Sequence, residues 1–423
     1  MRGQLFSRIL QGLVGFLLLL ACTLNCQHHS AQATTTKASS REVVRIDSLF
    51  NAAVAGAEIP GAVVLISKHQ KTVYHKAYGY QNIEQGIQMQ TRSIFRMASM
   101  TKALTAVAIL QLKEGGYLDL NDPIHRYLPE FKNLSVLSAI LADSNFTAVP
   151  TKKEITIHQL LTHTSGIGYG DQDERYNALV IKNKVSEGFC EDERTSEMNI
   201  RKIANLPLLA EPGEQYNYGM GYDVLGRLIE LISGLRYDVY IKNHILDPLE
   251  MNDSHFIIPE SKWEWLAEVY QPGPNKNSLE QTTYAYVNYP LIENRQFFSG
   301  GADLCSTASD YTKFMHMILQ KGQYKNRIIL REESVREMLS KQTPFDDGNS
   351  DQGFAAWVTN EKGANEGLTS VGTYGFGGFF DTYSWTDPAK NFTATLLLQM
   401  YPTNAHHIHE RFEQVVYDVI DEL

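Results

Sequence analysis

Phe95-Arg96-Met97-Ala98-Ser99-Met100-Thr101-Lys102-Ala103-Leu104-Thr105-Ala106-Val107-Ala108-Ile109-Leu110 is the stretch on which the reading of this chain turns. From Ala103 to Leu112 almost every position is apolar, without the polar face of a surface helix, so the segment predicts a helix buried in a core. Gly115-Gly116 supplies its end. At its start Ser99 and Lys102 stand three positions apart and share one face of the first turn. Burial disfavours a charged ammonium, and a neutral amine beside a hydroxyl can take its proton, which would make Ser99 a nucleophile and Lys102 its base. The plainer alternative has Ser99 capping the helix while Lys102 reaches out to water.

Toward the N-terminus, Gly61 to Ser67 and Thr72 to Tyr80 read as two strands joined by a polar turn, after an amphipathic helix from Arg41 to Ala55. Gln27 to Ser40 is polar and Ser/Thr/Ala-rich, as a tether would be. Arg2 and Arg8 precede an apolar run from Ile9 to Ala21, which is short for a bilayer span and has the length of a signal-peptide core. Leu19-Leu20-Ala21-Cys22 resembles a bacterial lipoprotein cleavage box, with Cys22 as the lipidation candidate and the means of membrane attachment; Ala31-Gln32-Ala33 offers a soluble-secretion alternative. The expectation is export to the periplasm or cell surface. Cys22 and Cys26 belong to the leader region, so the folded body holds only Cys190 and Cys305, too few for a disulfide scaffold and expected as buried or free thiols.

Beyond the buried helix, helical patterns and loops dominate from about Asp119 to Tyr289, with a polar, charged segment from Asp171 to Glu197. An irregular run rich in Tyr, Asn, Gln and Pro, from Trp263 to Pro290, could border a cleft. Strand-like runs return at Gly353–Thr359, Thr382–Trp385 and Phe392–Gln399, before a final helix from His409 to Ile420. Sheet elements at both ends with helical material between them predict an α/β (α+β) fold: a sheet domain from 34–118 and 290–423, a mostly helical inserted domain at 119–289, and a leader and tether start at 1–33.

Composition narrows the function. The 423 residues are 43% hydrophobic and 20% charged, ordinary for a globular protein. The net charge is −10, or −12 once Arg2 and Arg8 are set aside with the leader, and no Lys/Arg run tracks phosphates, which argues against a nucleic-acid partner. His406, His407 and His409 have neither a cysteine partner nor HxxxH spacing, and H-E-x-x-H is absent, so no metal and no other cofactor is expected. The α/β-hydrolase elbow G-x-S-x-G is absent too, while S-x-x-K occurs once, at Ser99.

Ser99-Met100-Thr101-Lys102, Pro212-Gly213-Glu214-Gln215-Tyr216-Asn217-Tyr218 and Phe376-Gly377-Gly378 fall in the order and approximate spacing of the three motifs of the serine β-lactamase and penicillin-binding-protein family. The chain resembles the class C-like branch, which includes the family VIII carboxylesterases. Tyr218 to Gly226, with its Asp223-Val224-Leu225-Gly226 run, is similar to the esterase form of the tyrosine motif. Leu160 to Gly166, Phe298 to Ala308 and Trp385 to Pro388 resemble the same branch.

The resemblance implies a β-lactamase-like fold, an antiparallel sheet flanked by helices with a helical domain beside it. It implies Ser99 as nucleophile, Lys102 as base and Tyr218 as proton shuttle, with Tyr216 the rival. It also implies an oxyanion hole from the backbone N–H groups of Ser99 and of Phe379, on an edge strand, and substrate contacts along Phe376, Gly377 and Gly378. In this family the His163 motif is largely structural. At Phe376 many relatives carry lysine or histidine to hold a substrate carboxylate, which phenylalanine cannot do. Phe379 and Phe380 are bulkier than usual and would narrow the acyl site. The expected function is therefore a serine hydrolase working through an acyl-serine on a small-molecule ester or amide, with a carboxylesterase favoured. The alternatives are a β-lactamase or D-amino-acid peptidase or amidase, and, in another class, an inactive binding protein on the same fold.

Overall fold

The side chains of strand β1 (Gly61–Lys68) alternate between two cores, and this sets the layering of the molecule. Val63 and Leu65 enter a large core that also holds the buried helix after Ser99; Ala62, Val64 and Ile66 enter a second core on the opposite face. A strand apolar on both faces has to be covered on both. A computed structural model describes residues 40–423 apart from 142–144, 276, 346–347 and 404. The leader run, Cys22 and the tether before Ser40 lie outside the described residues.

The sheet continues with β2 (Lys71–Asn82), β3 (Ile87–Gln88), β4 (Ser350–Gln352), β5 (Trp357–Thr359), β6 (Tyr374–Gly378), β7 (Thr382–Asp387) and β8 (Phe392–Leu397). Its eight strands run in the order β4-β5-β6-β7-β8-β1-β2-β3, with antiparallel neighbours throughout. The two ends of the chain thus meet at its middle, where Leu65 of β1 faces Thr395 of β8. The turn from β1 to β2 is made by His69 and Gln70 at φ 51° and 62°, the paired left-handed residues of a tight hairpin turn whose twist suits the strands.

The long helices are α1 (Ser40–Ala55), α2 (Thr101–Glu114), α3 (Gly221–Ser233), α4 (Ala308–Leu319) and α5 (His406–Val419). Helices α1 and α5 close the second core, where the rings of Phe50 and Phe412 meet edge to face at 5.4 Å. Helices α2, α3 and α4 contribute to the large core. Ala103 to Leu110 of α2 are all buried, as their uniform apolarity requires. This is an antiparallel sheet flanked by helices.

Two local readings change. Ser135–Ile140 and Phe146–Pro150 form a hairpin where helices and loops were expected; its residues are half-buried or exposed and none is fully buried, so no apolar alternation marks them. Strand β6 is not an edge strand, since it lies between β5 and β7. Its pairing with β5 nevertheless ends at Gly375, which leaves the side of Phe376 to Gly378 open, and Phe379 follows in the turn.

Candidate active site

Helix α2 is entered through a tight turn, Ala98–Met100, and Ser99 stands in it. Ala98 is held at φ 46°, a left-handed conformation that costs a residue with a Cβ and recurs where a fold must aim a functional group. Met100 occupies the cap position of α2 and no side chain caps it, so the Ser99 hydroxyl is not used for capping. Lys102 does not reach water either: it is 3% exposed. Its Nζ donates to Ser99 Oγ at 3.1 Å, to the Gly301 carbonyl at 2.9 Å and to the Tyr169 hydroxyl at 3.3 Å. Taking a polar nitrogen out of water costs free energy unless its contacts are replaced, and these three oxygens replace them.

Tyr218 presents its ring to Lys102, with Nζ 4.8 Å from the centroid, and packs against His163 at 4.4 Å and Tyr169 at 5.6 Å. Among the described residues the tyrosine hydroxyl bonded to Lys102 belongs to Tyr169, which sequence reasoning did not single out. Its one signal was closeness to the Leu160–Gly166 motif, three residues upstream. Tyr216 lies outside the cavity that Tyr218 lines. His163 is buried and its Nδ1 accepts the Gly219 N–H at 3.3 Å. Burial, then the charge of Lys102, keeps its imidazole well below the usual range, so it stays neutral and its Nδ1 is already engaged.

The glycines of β6 do different things. A Cβ on Gly378 would fall closer than 3.0 Å to the Met97 carbonyl oxygen and to Thr382 Oγ1, so only glycine lets this strand end lie on the chain just before Ser99. Gly377 is open, its nearest neighbour 3.9 Å from such a Cβ. Phe379 lines the cavity beside Ser99, and its backbone N–H has no acceptor among the described residues. Phe376 is 3% exposed and turns away from the cavity, its ring contacting those of Phe314 and Tyr374. Phe380 is also buried, beside Phe189.

Ser99, Tyr169 and Tyr218 border a cavity of about 670 Å³. Phe379, stacked on Tyr401 at 3.9 Å, and Tyr284 form an aromatic wall; Tyr284 and Tyr286 are the members of the Trp263–Pro290 segment that reach it. The rest of the lining is mixed: Val180, Ile181 and Val185 are apolar, Asp171, Glu187, Glu191 and Asp192 bring carboxyl groups, and the one lining arginine, Arg194, is paired to Asp192 at 2.5 Å. Burial pushes the Glu187 carboxyl up, although the Gly170 N–H bonded to it at 2.5 Å pulls the other way. Cys190, also in this lining, and Cys305 are buried thiols that do not pair.

The second residue that sequence reasoning missed is Asp223, in the first turn of α3 and 2% exposed. It had been quoted only as part of a motif. Burial raises its carboxyl to about 6, against the opposing pull of the Ser299 hydroxyl and of Lys102.

An S-x-x-K pair at the start of a core helix, its lysine buried and its serine bordering a cavity beside the open end of a β-strand, defines a serine hydrolase of the acyl-transfer kind. Comparison with known proteins agrees. The family model described as Beta-lactamase matches residues 46–416, and the chain belongs to that family. It is 28% identical over 360 residues to protein Rv1367c of Mycobacterium tuberculosis, covering 81% of this chain and 86% of that one. It is 31% identical over 286 residues to the esterase EstB of Burkholderia gladioli, covering 65% and 69% respectively. Among solved structures, EstCE1, a hydrolase with promiscuous acyltransferase activity, superposes with a TM-score of 0.74 at 23% identity, covering 89% of this chain and 98% of its own.

Proposed function

We propose that the protein is a carboxylesterase that works through an acyl-serine. Ser99 Oγ attacks the ester carbonyl as its proton passes to Lys102 Nζ, and the tetrahedral oxyanion settles between the N–H groups of Ser99 and Phe379. The alcohol leaves with a proton delivered through the tyrosines beside Lys102, Tyr218 by its place in the motif and Tyr169 by its hydrogen bond. Water then releases the acid and restores Ser99.

The observation that carries this reading over β-lactam hydrolysis is the charge of the cavity. β-Lactams and cell-wall peptides present a carboxylate, and the cavity that Ser99 borders has three carboxyl groups, Asp171, Glu187 and Glu191, beyond the Asp192–Arg194 pair. With phenylalanine at 376, β6 supplies no cation in compensation. A neutral ester meets no such penalty.

The test is covalent labelling with a fluorophosphonate, read by mass spectrometry, together with turnover of a short p-nitrophenyl ester and a chromogenic cephalosporin. An adduct on Ser99 that is lost in Ser99→Ala, with faster turnover of the ester, is expected. Labelling that survives Ser99→Ala would remove the hydrolase mechanism, and faster turnover of the cephalosporin would remove the preference for esters.

A further inference from the structure

Asp223 carries a buried oxygen with no partner. Its Oδ1 accepts the Ser299 hydroxyl at 2.5 Å, while Oδ2 is buried and unbonded among the described residues. Such an oxygen forfeits its hydration and is retained only where the site gains from it.

Its surroundings indicate what it serves. Ser299 Oγ also receives the Gly301 N–H at 3.0 Å, and the Gly301 carbonyl is the acceptor that holds Lys102. The same turn is secured at its other end, where the Ser299 N–H donates to Asp303 at 3.0 Å and Asp303 is paired with the buried Arg295 at 2.8 Å. Gly301 leaves a small space above its Cα. A Cβ placed there would lie 3.4 Å from Lys102 Nζ, 3.4 Å from the Tyr169 hydroxyl oxygen and 3.5 Å from Asp223 Oδ2. Three polar atoms, from α2, from the loop after His163 and from α3, therefore face one side-chain-free space.

The charged and titratable groups around Asp223 are few. Lys102 faces it from α2, Tyr169 from its loop, Asp303 from the Ser299 turn with Arg295 behind it, and Tyr237 from the segment after α3. Lys102 is the cation whose charge reaches Asp223, while Arg295 is paired with Asp303.

We propose that Asp223 is a positioning residue for Lys102: through Ser299 it holds the turn whose Gly301 carbonyl receives the lysine, and its free oxygen supplies the negative charge that keeps Lys102 and Tyr169 in register beneath Ser99. The proposal rests on the acyl-serine reading above.

Two variants test this with the full chain. Asp223→Asn keeps the shape and an acceptor for Ser299 but removes the charge. Gly301→Ala leaves Asp223 and its bond to Ser299 in place and puts a methyl, at ordinary contact distances, into the shared space. For a neutral p-nitrophenyl ester, Asp223→Asn is expected to lower kcat about tenfold or more with KM within about twofold, and to remove from the kcat profile the acid limb near pH 6 that the raised Asp223 carboxyl supplies. Gly301→Ala is expected to lower kcat with the fold intact by circular dichroism. Wild-type kcat and an unmoved acid limb in folded Asp223→Asn overturn the proposal. So does a lowered plateau with the limb unmoved, which is what a merely structural aspartate would give. If Asp223→Asn does not fold, wild-type kcat in Gly301→Ala overturns it. Fluorophosphonate labelling of the wild type separates the two levels: no adduct on Ser99 is a failure of the acyl-serine reading, whereas normal labelling with unaffected variants is a failure of this inference alone.

Discussion

Gly378→Ala probes the oxyanion hole without touching a reacting side chain. The new Cβ would sit closer than 3.0 Å to the Met97 carbonyl oxygen and to Thr382 Oγ1. The carbonyl belongs to the chain that leads directly into Ser99 and cannot rotate aside as a side chain could. Restoring an ordinary contact needs a separation of about 1 Å between β6 and the Ser99 turn, and a displacement of that size at a reacting centre costs about 10²-fold. If the displacement removes the Phe379 N–H from the oxyanion altogether, kcat falls by about 10²–10³, or about 2.7–4 kcal/mol of transition-state stabilisation. The assay is kcat and KM for a short neutral p-nitrophenyl ester, with thermal unfolding alongside to register the overpacking cost of about 1–3 kcal/mol. Gly377→Ala is the comparison, because its Cβ would meet nothing nearer than 3.9 Å. It is expected to leave the melting temperature and kcat unchanged. A folded Gly378→Ala enzyme with kcat within threefold of wild type would refute the placement of Phe379 in the oxyanion hole.

Two further outcomes follow from charge and burial. Among isosteric esters, one carrying a quaternary ammonium is expected to exceed one carrying a carboxylate in kcat/KM by about tenfold at low salt. The gap should close toward 1 M salt, where the screening length falls to about 3 Å, and should narrow in Glu187→Gln; equal rates at low salt would show that the cavity carboxyl groups do not select. His316, pushed down to about 4 by burial and bonded to Ser67 Oγ at 2.5 Å, is a stabilising neutral group in the folded state. The unfolded chain takes its proton near pH 6.5, so the contribution of His316 is present above that value and lost as pH falls toward 4, by up to about 3 kcal/mol. Asp223 titrates the other way, its raised carboxyl favouring the folded state as pH falls toward 4. The comparison of wild type with His316→Gln isolates the histidine: the variant should show a flatter acid dependence of its urea midpoint, and an unchanged slope would assign the acid sensitivity elsewhere.

The parts of this molecule legible in the sequence are those where one local pattern has one physical solution. The uniform apolarity of Ala103 to Leu110 could only be buried, and the strands β1, β2, β7 and β8 carry enough β-branched, aromatic and aliphatic residues to declare themselves. The hairpin at Ser135–Ile140 and Phe146–Pro150 was not legible because neither strand has a buried face to impose a period of two. Ser99 and Lys102 were readable because they lie one turn apart on one helix. Tyr169 and Asp223 were not, because each joins the site by a tertiary contact: Tyr169 meets Lys102 across 67 positions of sequence and Asp223 meets Ser299 across 76. No periodicity encodes such distances.

The question of substrate shows the same division more sharply. In the sequence, discrimination against anions rested on Phe376, as the absence of a cation at a motif position. In the fold Phe376 does not reach the cavity, and a lysine placed there would be buried among Phe314 and Tyr374, at a cost of several kcal/mol, unless it could extend past them. The groups proposed to discriminate are instead Asp171, Glu187, Glu191 and Asp192, which line the cavity and come from a segment whose sequence reads only as polar and charged. Restoring the motif lysine would leave these carboxylates facing any incoming anion. On the carboxylesterase proposal, specificity is carried by the carboxylates that the 171–192 segment contributes to the cavity, and the three motifs carry the chemistry alone.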